Sequence, residues 1–483
     1  MKILLLQPTG SNWLAGGKDV SATANRMAPL GLLSMAACLQ QRGHEVGVYD
    51  GLGPFAAKTI AAQVAEILSI QPDLLGVSAT TSAFLDGYEI AETVKRKRPG
   101  VQIVFGGVHV SAIGAPLLER FAAIDCLCMG EGERTVCDLA DGLAPARING
   151  LIYRENGRMV QNPPCEPIAR LDDLPFPLYQ KLAGFPHHYH LPLFSYTRRP
   201  GATMVTSRGC PYQCSYCDRS VFKNKYRYHS AEYVYAHMRY LRQRFGVRHI
   251  NFYDDLFTVQ RRRIFALCDM LQAKPLGIQF NCAVRVGHAD ARLLAALKRA
   301  GCLQVSVGIE TGDADMMATH KPGVGLQGAR RAVADIQAAG LRVKGLFMMG
   351  LPGESVASIQ KTSDFVMSLN LDDMNMSKFT PFHGAPVWPR VHREGRFTED
   401  WRKMNCLNFV YLPADIDSVE TLDRLYNAHV KRFYSDKRWR RKFMRRLWPH
   451  RWSLWRLARH WADFACAMRG FDNAAHDKKK IHA

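Results

Sequence analysis

Apolar positions along this chain fall into two rhythms. Short runs such as Ile3–Leu6, Glu45–Asp50, Leu74–Ser78, Gln102–Phe105 and Cys126–Met129 read as strands. Between them, Leu30–Arg42, Thr59–Ser69 and Tyr88–Lys97 repeat at helical spacing, Gly43 ends the first of these, and Pro116–Arg120 makes a helical turn. Strands separated by helices of this length pair in parallel through right-handed crossovers. Residues 1–145 therefore predict a doubly wound, Rossmann-like α/β domain whose ligand lies beyond the carboxyl ends of the strands.

Proline then breaks the pattern. Pro163-Pro164, Leu174-Pro175-Phe176-Pro177 and Pro186 mark residues 146–195 as a connector. Its His187, His188 and His190 lie close together, but no cysteine or carboxylate partner argues for a metal. From Thr203 the alternation resumes, with strands at Thr203–Thr206, His249–Tyr253, Gln279–Arg285, Gln304–Gly308, Arg342–Met348 and Met374–Phe379. Helices at Ala231–Phe245, Arg263–Leu271, Ala291–Ala300, Gly328–Ala339 and Ser355–Leu369 separate them. Strand–helix units over residues 196–390 predict a partial (β/α)6 barrel, with chemistry at the carboxyl ends of its strands.

Composition narrows the class. The 483 residues, 47% apolar and 22% charged, suit an ordinary globular protein. Met1–Pro8 is too short an apolar run for a signal peptide, and no apolar stretch is long enough to span a bilayer. Most of the 13 cysteines are scattered singly, as expected of reduced thiols in a cytoplasm. The net charge is +21, and Lys431–Ala483 supplies +12 of it, 16 Lys/Arg against 4 Asp/Glu. Residues 391–483 are predicted to be helical, and 438–470 holds five of the eight tryptophans (439, 448, 452, 455, 461), with arginines between them. Such a helix either lies in a membrane interface, giving peripheral contact with the inner membrane face, or packs over the barrel mouth. Nucleic acid is not expected, since no reading motif accompanies the charge. Lys478-Lys479-Lys480 reads as a disordered tail.

Candidate chemistry centres on Ser207-Arg208-Gly209-Cys210-Pro211-Tyr212-Gln213-Cys214-Ser215-Tyr216-Cys217. Three thiolates at this spacing can converge on one soft metal centre, and iron–sulfur clusters are held by such runs. A structural zinc site is the alternative, but zinc prefers a closed four-ligand shell and no second Cys-x2-Cys pair exists. After the barrel strands come Asp254, Asp255, Arg285, Glu310, Thr311, Lys378 and Thr380. Glu310 could accept from an ammonium or ribose hydroxyls, and Arg285 could clamp a carboxylate; helix capping is the plainer role for Asp and Thr at such loops. Gly350-Leu351-Pro352-Gly353-Glu354 reads as a turn and helix start. At the strand ends of the first domain lie Ser78-Ala79-Thr80-Thr81-Ser82, Gly106-Gly107-Val108-His109 and Gly130-Glu131-Gly132-Glu133. Their glycines let a bulky ligand approach the backbone, and their hydroxyls offer hydrogen bonds.

Cys210, Cys214 and Cys217, with Tyr216 before the last, resemble the signature of the radical S-adenosylmethionine (SAM) enzymes. The first-domain loops, with Ala28-Pro29-Leu30-Gly31-Leu32 and Gly43-His44-Glu45-Val46, resemble the cobalamin-binding subclass of that family. The resemblance implies a 4Fe-4S cluster on the three cysteines with one iron open to SAM, and an electron donor of flavodoxin or ferredoxin type. It places Tyr216 near the adenine, Asp254, Asp255, Glu310 and Thr311 around SAM, where Arg285 would clamp the carboxylate, and Ser78, Thr80, Thr81, Gly106, Gly107, His109 and Gly130–Glu133 around cobalamin. The Asp-x-His-x-x-Gly motif that supplies a cobalt ligand elsewhere is missing, so cobalamin without a histidine ligand is expected. His44 is expected on the surface. The implied activity is radical methyl transfer to an unactivated carbon of a small molecule, with a lipid or porphyrin-like substrate in view. A cyclase resembling the anaerobic magnesium-protoporphyrin monomethyl ester cyclase is the close alternative, and a cobalamin sensor or carrier the distant one.

Overall fold

A computed structural model describes residues 1–10 and 25–462. The first sheet runs β1 (Lys2–Gln7), β2 (Glu45–Asp50), β3 (Leu74–Ser78), β4 (Gln102–Gly106) and β5 (Cys126–Cys128) in the order β2-β1-β3-β4-β5, all parallel. Helices α1 (Leu30–Gln41), α2 (Ile60–Ile70) and α3 (Phe84–Lys97) follow β1, β2 and β3; α4 (Val108–Ile113) and α5 (Pro116–Arg120) follow β4, and α6 (Gly132–Ala140) follows β5. α1 and α6 bury Leu32, Ala36, Leu39 and Val136 on one face, and α2 and α3 bury Val64, Ile67, Phe84 and Ile90 on the other. The strand order reverses between β1 and β3, the point where doubly wound sheets open a crevice for a ligand.

The connector is not all connector. β6 (Leu151–Glu155) and β7 (Arg158–Gln161) form a hairpin that adds two antiparallel strands to this sheet beside β5. Asn156 and Gly157 at its tip both have positive φ, 49° and 76°, the backbone that a tight two-residue hairpin requires. That Asn-Gly pair was the legible signal, and the prolines around it obscured it.

The second sheet holds β8 (Gly201–Met204), followed after a short ladder of β9 (Ser207–Arg208) with β10 (Arg227–Tyr228) by β11 (His249–Phe252), β12 (Gln279–Arg285), β13 (Cys302–Glu310), β14 (Arg342–Met349) and β15 (Asp373–Lys378). The order is β15-β14-β13-β12-β11-β8, all parallel, so sequential strands are spatial neighbours, as in an open barrel. Its helices α7 (Ala231–Phe245), α8 (Arg261–Ala273), α9 (Ala291–Arg299), α10 (Ala314–His320), α11 (Leu326–Ala338) and α12 (Val356–Ser368) intervene in chain order. Ser230, Asp290 and Ser355 cap α7, α9 and α12 through their side chains, satisfying amide donors that a helix start leaves open.

The last region is not purely helical. β16 (Gly395–Phe397) and β17 (Tyr411–Pro413) pair antiparallel, and Trp401 and Met404 between them complete the core of the first domain. Then come α13 (Val419–Ser435), α14 (Lys437–Arg445) and α15 (Arg451–Arg459). Packing over the barrel mouth is not what α14 and α15 do. Trp439 donates to the carbonyl of Asp372 (3.0 Å), and His450 bridges the carbonyl of Tyr196 and Arg342, both at 3.0 Å. Asp372 and Arg342 stand where β15 and β14 begin, so these helices lie across the amino-terminal end of the barrel, opposite its mouth. Among the described residues no helix is long and apolar enough to cross a membrane; the tail at Lys478–Lys480 lies outside the described residues.

Candidate active site between the two sheets

The cysteine loop leaves β8 and is closed at its base by the pairing of Ser207-Arg208 with Arg227-Tyr228. Gly209 follows at φ +84°, and a Cβ there would overlap the carbonyl of Lys225, so only glycine fits the crossing. The acidic pair after β11 holds this base. Asp254 accepts from the amide of Thr206 (2.6 Å) and the hydroxyl of Ser207 (2.8 Å), while Asp255 accepts from the amide of Gly209 (3.0 Å). Burial pushes both carboxyls up. Asp254 is thus committed to the loop and not presented to a cofactor; Asp255 also reaches the cavity described below.

Farther along, the loop is pinned from outside. Ser215 donates its amide to the carbonyl of His320 (3.0 Å), its hydroxyl bonds Nδ1 of the same imidazole (2.6 Å), and its carbonyl accepts from Val387 (3.0 Å). His320 in turn bonds the carbonyl of Pro352 (2.9 Å) through Nε2. Arg285, expected on a cofactor carboxylate, instead stacks on Tyr212 (4.1 Å to the ring centre), reaches the sulfur of Cys214 (3.5 Å) and donates to the carbonyl of Pro322 (2.5 Å). The Cys214 thiol is held below its ordinary range by the hydrogen bond with Cys217 and, against desolvation, by Lys321 and Arg285.

Across the loop, Glu310 ends β13 at a register shift and at φ +71°. Its carboxylate takes Lys321 Nζ at 2.8 Å, and both side chains are largely buried. Burial raises the Tyr216 phenol far above its ordinary range, with the charges of Glu310 and of the Cys214 and Cys217 sulfurs adding to the effect. Thr311 is not part of this set; its hydroxyl bonds Thr362 (3.0 Å) inside the protein. Lys378 and Thr380 are also spent, Lys378 on Asp423 (2.5 Å) and the rings of Phe409 and Tyr426, Thr380 on the amide of Cys406 (3.1 Å).

Facing the loop is a cavity of about 320 Å³. Leu5, Gly76, Val104 and Cys128 of the first sheet line it, Ser78, Gly106, Gly107 and Gly130–Glu133 stand at the strand ends, and Ser207, Arg208, Phe222, Tyr253 and Asp255 line it from the barrel side. Gly107 has φ +99°, and a Cβ there would press on the Ala79 carbonyl at 2.9 Å.

Three of the residues expected around a ligand here are elsewhere. Thr80 and Thr81 do not line the cavity, and Thr81 bonds Nδ1 of His109 (3.1 Å). His109 is buried between Phe84 and Trp401, ring centres 4.7 and 4.4 Å away, and burial holds its imidazole neutral, lowered to about 3. It cannot turn toward the cavity without breaking that packing. Glu131 and Glu133 reach the cavity wall but are engaged: Arg208 donates to Glu131 (3.0 Å) and Glu133 (2.5 Å), and Arg227 also bonds Glu131. Burial raises Glu133, but Arg208 outweighs it and holds the carboxyl below its ordinary range. His44, expected on the surface, is largely covered instead, its side chain 10% exposed and held by Asp141 (2.9 Å). His188 packs on Phe55 and His190 bridges the backbone of Arg26.

A radical SAM superfamily model matches residues 204–366, and a B12-binding domain model matches residues 18–140. An uncharacterized methyltransferase of Pyrococcus horikoshii is 30% identical over 443 residues, covering 90% of this chain and 92% of that protein. The chain belongs to the cobalamin-binding radical SAM enzymes. The anaerobic magnesium-protoporphyrin IX monomethyl ester cyclase of Rubrivivax gelatinosus is 24% identical, over 90% of this chain and 78% of its own length. The fold is shared with the radical SAM methyltransferase TsrM of Kitasatospora setae, at a TM-score of 0.65 and 20% identity, over 88% of this chain and 81% of that one.

The cofactors of this radical SAM enzyme are therefore a 4Fe-4S cluster, SAM and cobalamin. The site suits them. A three-cysteine run of this spacing suits a four-iron cubane. Arg285 and Lys321 supply positive charge beside it, and the glycine-edged, apolar-floored cavity suits a corrin and its tail. Sequence reasoning missed Arg208, Arg227, His320 and Lys321. Only Arg208 adjoins the cysteine motif; the others are joined to it by long-range contacts that no local pattern encodes.

Proposed function

We propose that the chain is a radical C-methyltransferase acting on an unactivated carbon of a small molecule. The observation that carries this reading is the single cavity walled by the glycine loops of the first sheet and by the base of the cysteine loop. A carrier seated on the first sheet and a radical generated at the barrel mouth would then face one substrate. When bound, the cluster with SAM supplies a 5′-deoxyadenosyl radical and cobalamin supplies the methyl carrier. The protein's own work is positional: Arg285 and Lys321 balance the charge of the thiolates, Glu310 accepts from SAM hydroxyls or ammonium, and Asp254 and Asp255 hold the loop in place. The Rubrivivax relative's name supports a porphyrin-like substrate, and a lipid is the second class. An electron donor of flavodoxin or ferredoxin type would supply the electron that the cluster passes to SAM.

Anaerobic reconstitution with iron, sulfide and cobalamin, followed by mass analysis of the nucleosides, tests this. S-adenosylhomocysteine forming beside 5′-deoxyadenosine is the expected result. Deoxyadenosine alone would favour the second reading, a cyclase, which the 24% identical relative supports. Unchanged behaviour when Cys210, Cys214 and Cys217 are replaced by alanine would leave only a cobalamin sensor or carrier.

A further inference from the structure

Helix α15 is docked with its polar side inward. His450, Ser453 and Arg456 are 4%, 1% and 4% exposed, held by Tyr196, the amide of Phe194 (3.1 Å) and the carbonyl of Leu191 (2.9 Å). Trp452 and Trp455 at the intervening helical positions are 41% and 52% exposed, Trp448 in the turn just before α15 is 79% exposed, and Met444 at the end of α14 is 64% exposed. A helix on a globular protein ordinarily does the reverse. Exposing several indoles together is costly in water unless something covers them.

The charge around them identifies the cover. From Lys437 to Ala462 the sequence has ten Lys/Arg and no Asp or Glu. Arg440, Arg441, Arg445, Arg451 and Arg459 are exposed, with Arg451 lying over the Trp448 and Trp452 rings and Arg459 over Trp455. Indoles flanked by arginines match the boundary between headgroups and acyl chains, where the ring is half wet and the cation meets phosphate.

We infer that α14 and α15 seat the enzyme on the surface of an anionic lipid bilayer. An acidic electron carrier would also meet the charge, but the surface is at the wrong end. β14 alone spans eight residues, about 26 Å, between that surface and the cysteine loop. The same position means that the barrel mouth points away from the bilayer, so the lipid contact anchors the enzyme and does not deliver substrate to it.

The test uses the full chain and vesicles of phosphatidylcholine with and without phosphatidylglycerol, read by co-sedimentation and tryptophan emission. Binding only to the anionic vesicles, with blue-shifted emission and release as salt rises from about 0.1 M to about 0.5 M, is expected. The triple variants Trp448→Ser/Trp452→Ser/Trp455→Ser and Arg441→Glu/Arg445→Glu/Arg451→Glu should each bind roughly tenfold more weakly or worse, with thermal unfolding and cluster absorbance unchanged. The inference fails if wild-type protein ignores anionic vesicles or if both variants bind as it does. It also fails if light scattering shows a dimer that the tryptophan variant turns to monomer, since a second copy would then cover the patch.

Discussion

Glu354 carries a pH dependence that can be read from its surroundings. Its Oε2 accepts from the amides of Gly350 (2.5 Å) and Leu351 (3.1 Å), while Oε1 is buried with no hydrogen-bond partner among the described residues. Burial is the larger effect and pushes the carboxyl from 4.5 up to about 8. Between those values the folded chain keeps a proton that the unfolded chain has lost, so stability falls as pH rises through this window and levels off above it. The slope should approach about 1.4 kcal/mol per pH unit where the two states differ by a full proton. Urea midpoints from pH 5.5 to 8.5 should show that decline in the wild type, and Glu354→Gln should remove most of it. At this scale the cysteine spacing was legible because the motif is local, and it agrees with the radical SAM model matched over residues 204–366. The sequence was not legible for Asp254 or Arg285, whose partners lie far away along the chain and use up groups that looked available.

Among the elements, regular strands and helices followed the hydrophobic pattern closely, because parallel sheets bury both faces and their strands are correspondingly apolar. What escaped were pieces whose logic is turn chemistry or tertiary packing: the Asn156-Gly157 hairpin, and Trp401 reaching back onto Phe84 and His109. The cysteine loop is also held by turn geometry. Gly209→Ala places a methyl group into the Lys225 carbonyl on a backbone that disfavours any side chain. That variant should keep wild-type far-UV circular dichroism, since the sheet cores are untouched, yet take up little iron and lack the cluster's visible absorbance after anaerobic reconstitution. An unaltered iron content would mean that the loop tolerates a different path.

Across the whole molecule, the two sheets meet at a buried ionic joint: Arg208 and Arg227 from the barrel side, Glu131 and Glu133 from the first domain. Opening such a joint from one side leaves buried charge without its counter-charge, which costs about 3–5 kcal/mol. Arg208→Ala should therefore lower the unfolding midpoint and weaken cobalamin retention together, measured by chemical denaturation and gel filtration, whereas Glu133→Ala/Arg208→Ala together, which leaves Glu131 on Arg227, should recover part of the stability. A tight cobalamin complex in Arg208→Ala would show that the first sheet holds the vitamin alone. The joint also sets a rule for anyone recombining these modules. Splicing this first domain onto a foreign barrel transplants two buried acids without their guanidinium mates, so a working hybrid must import arginines at both barrel positions along with the graft.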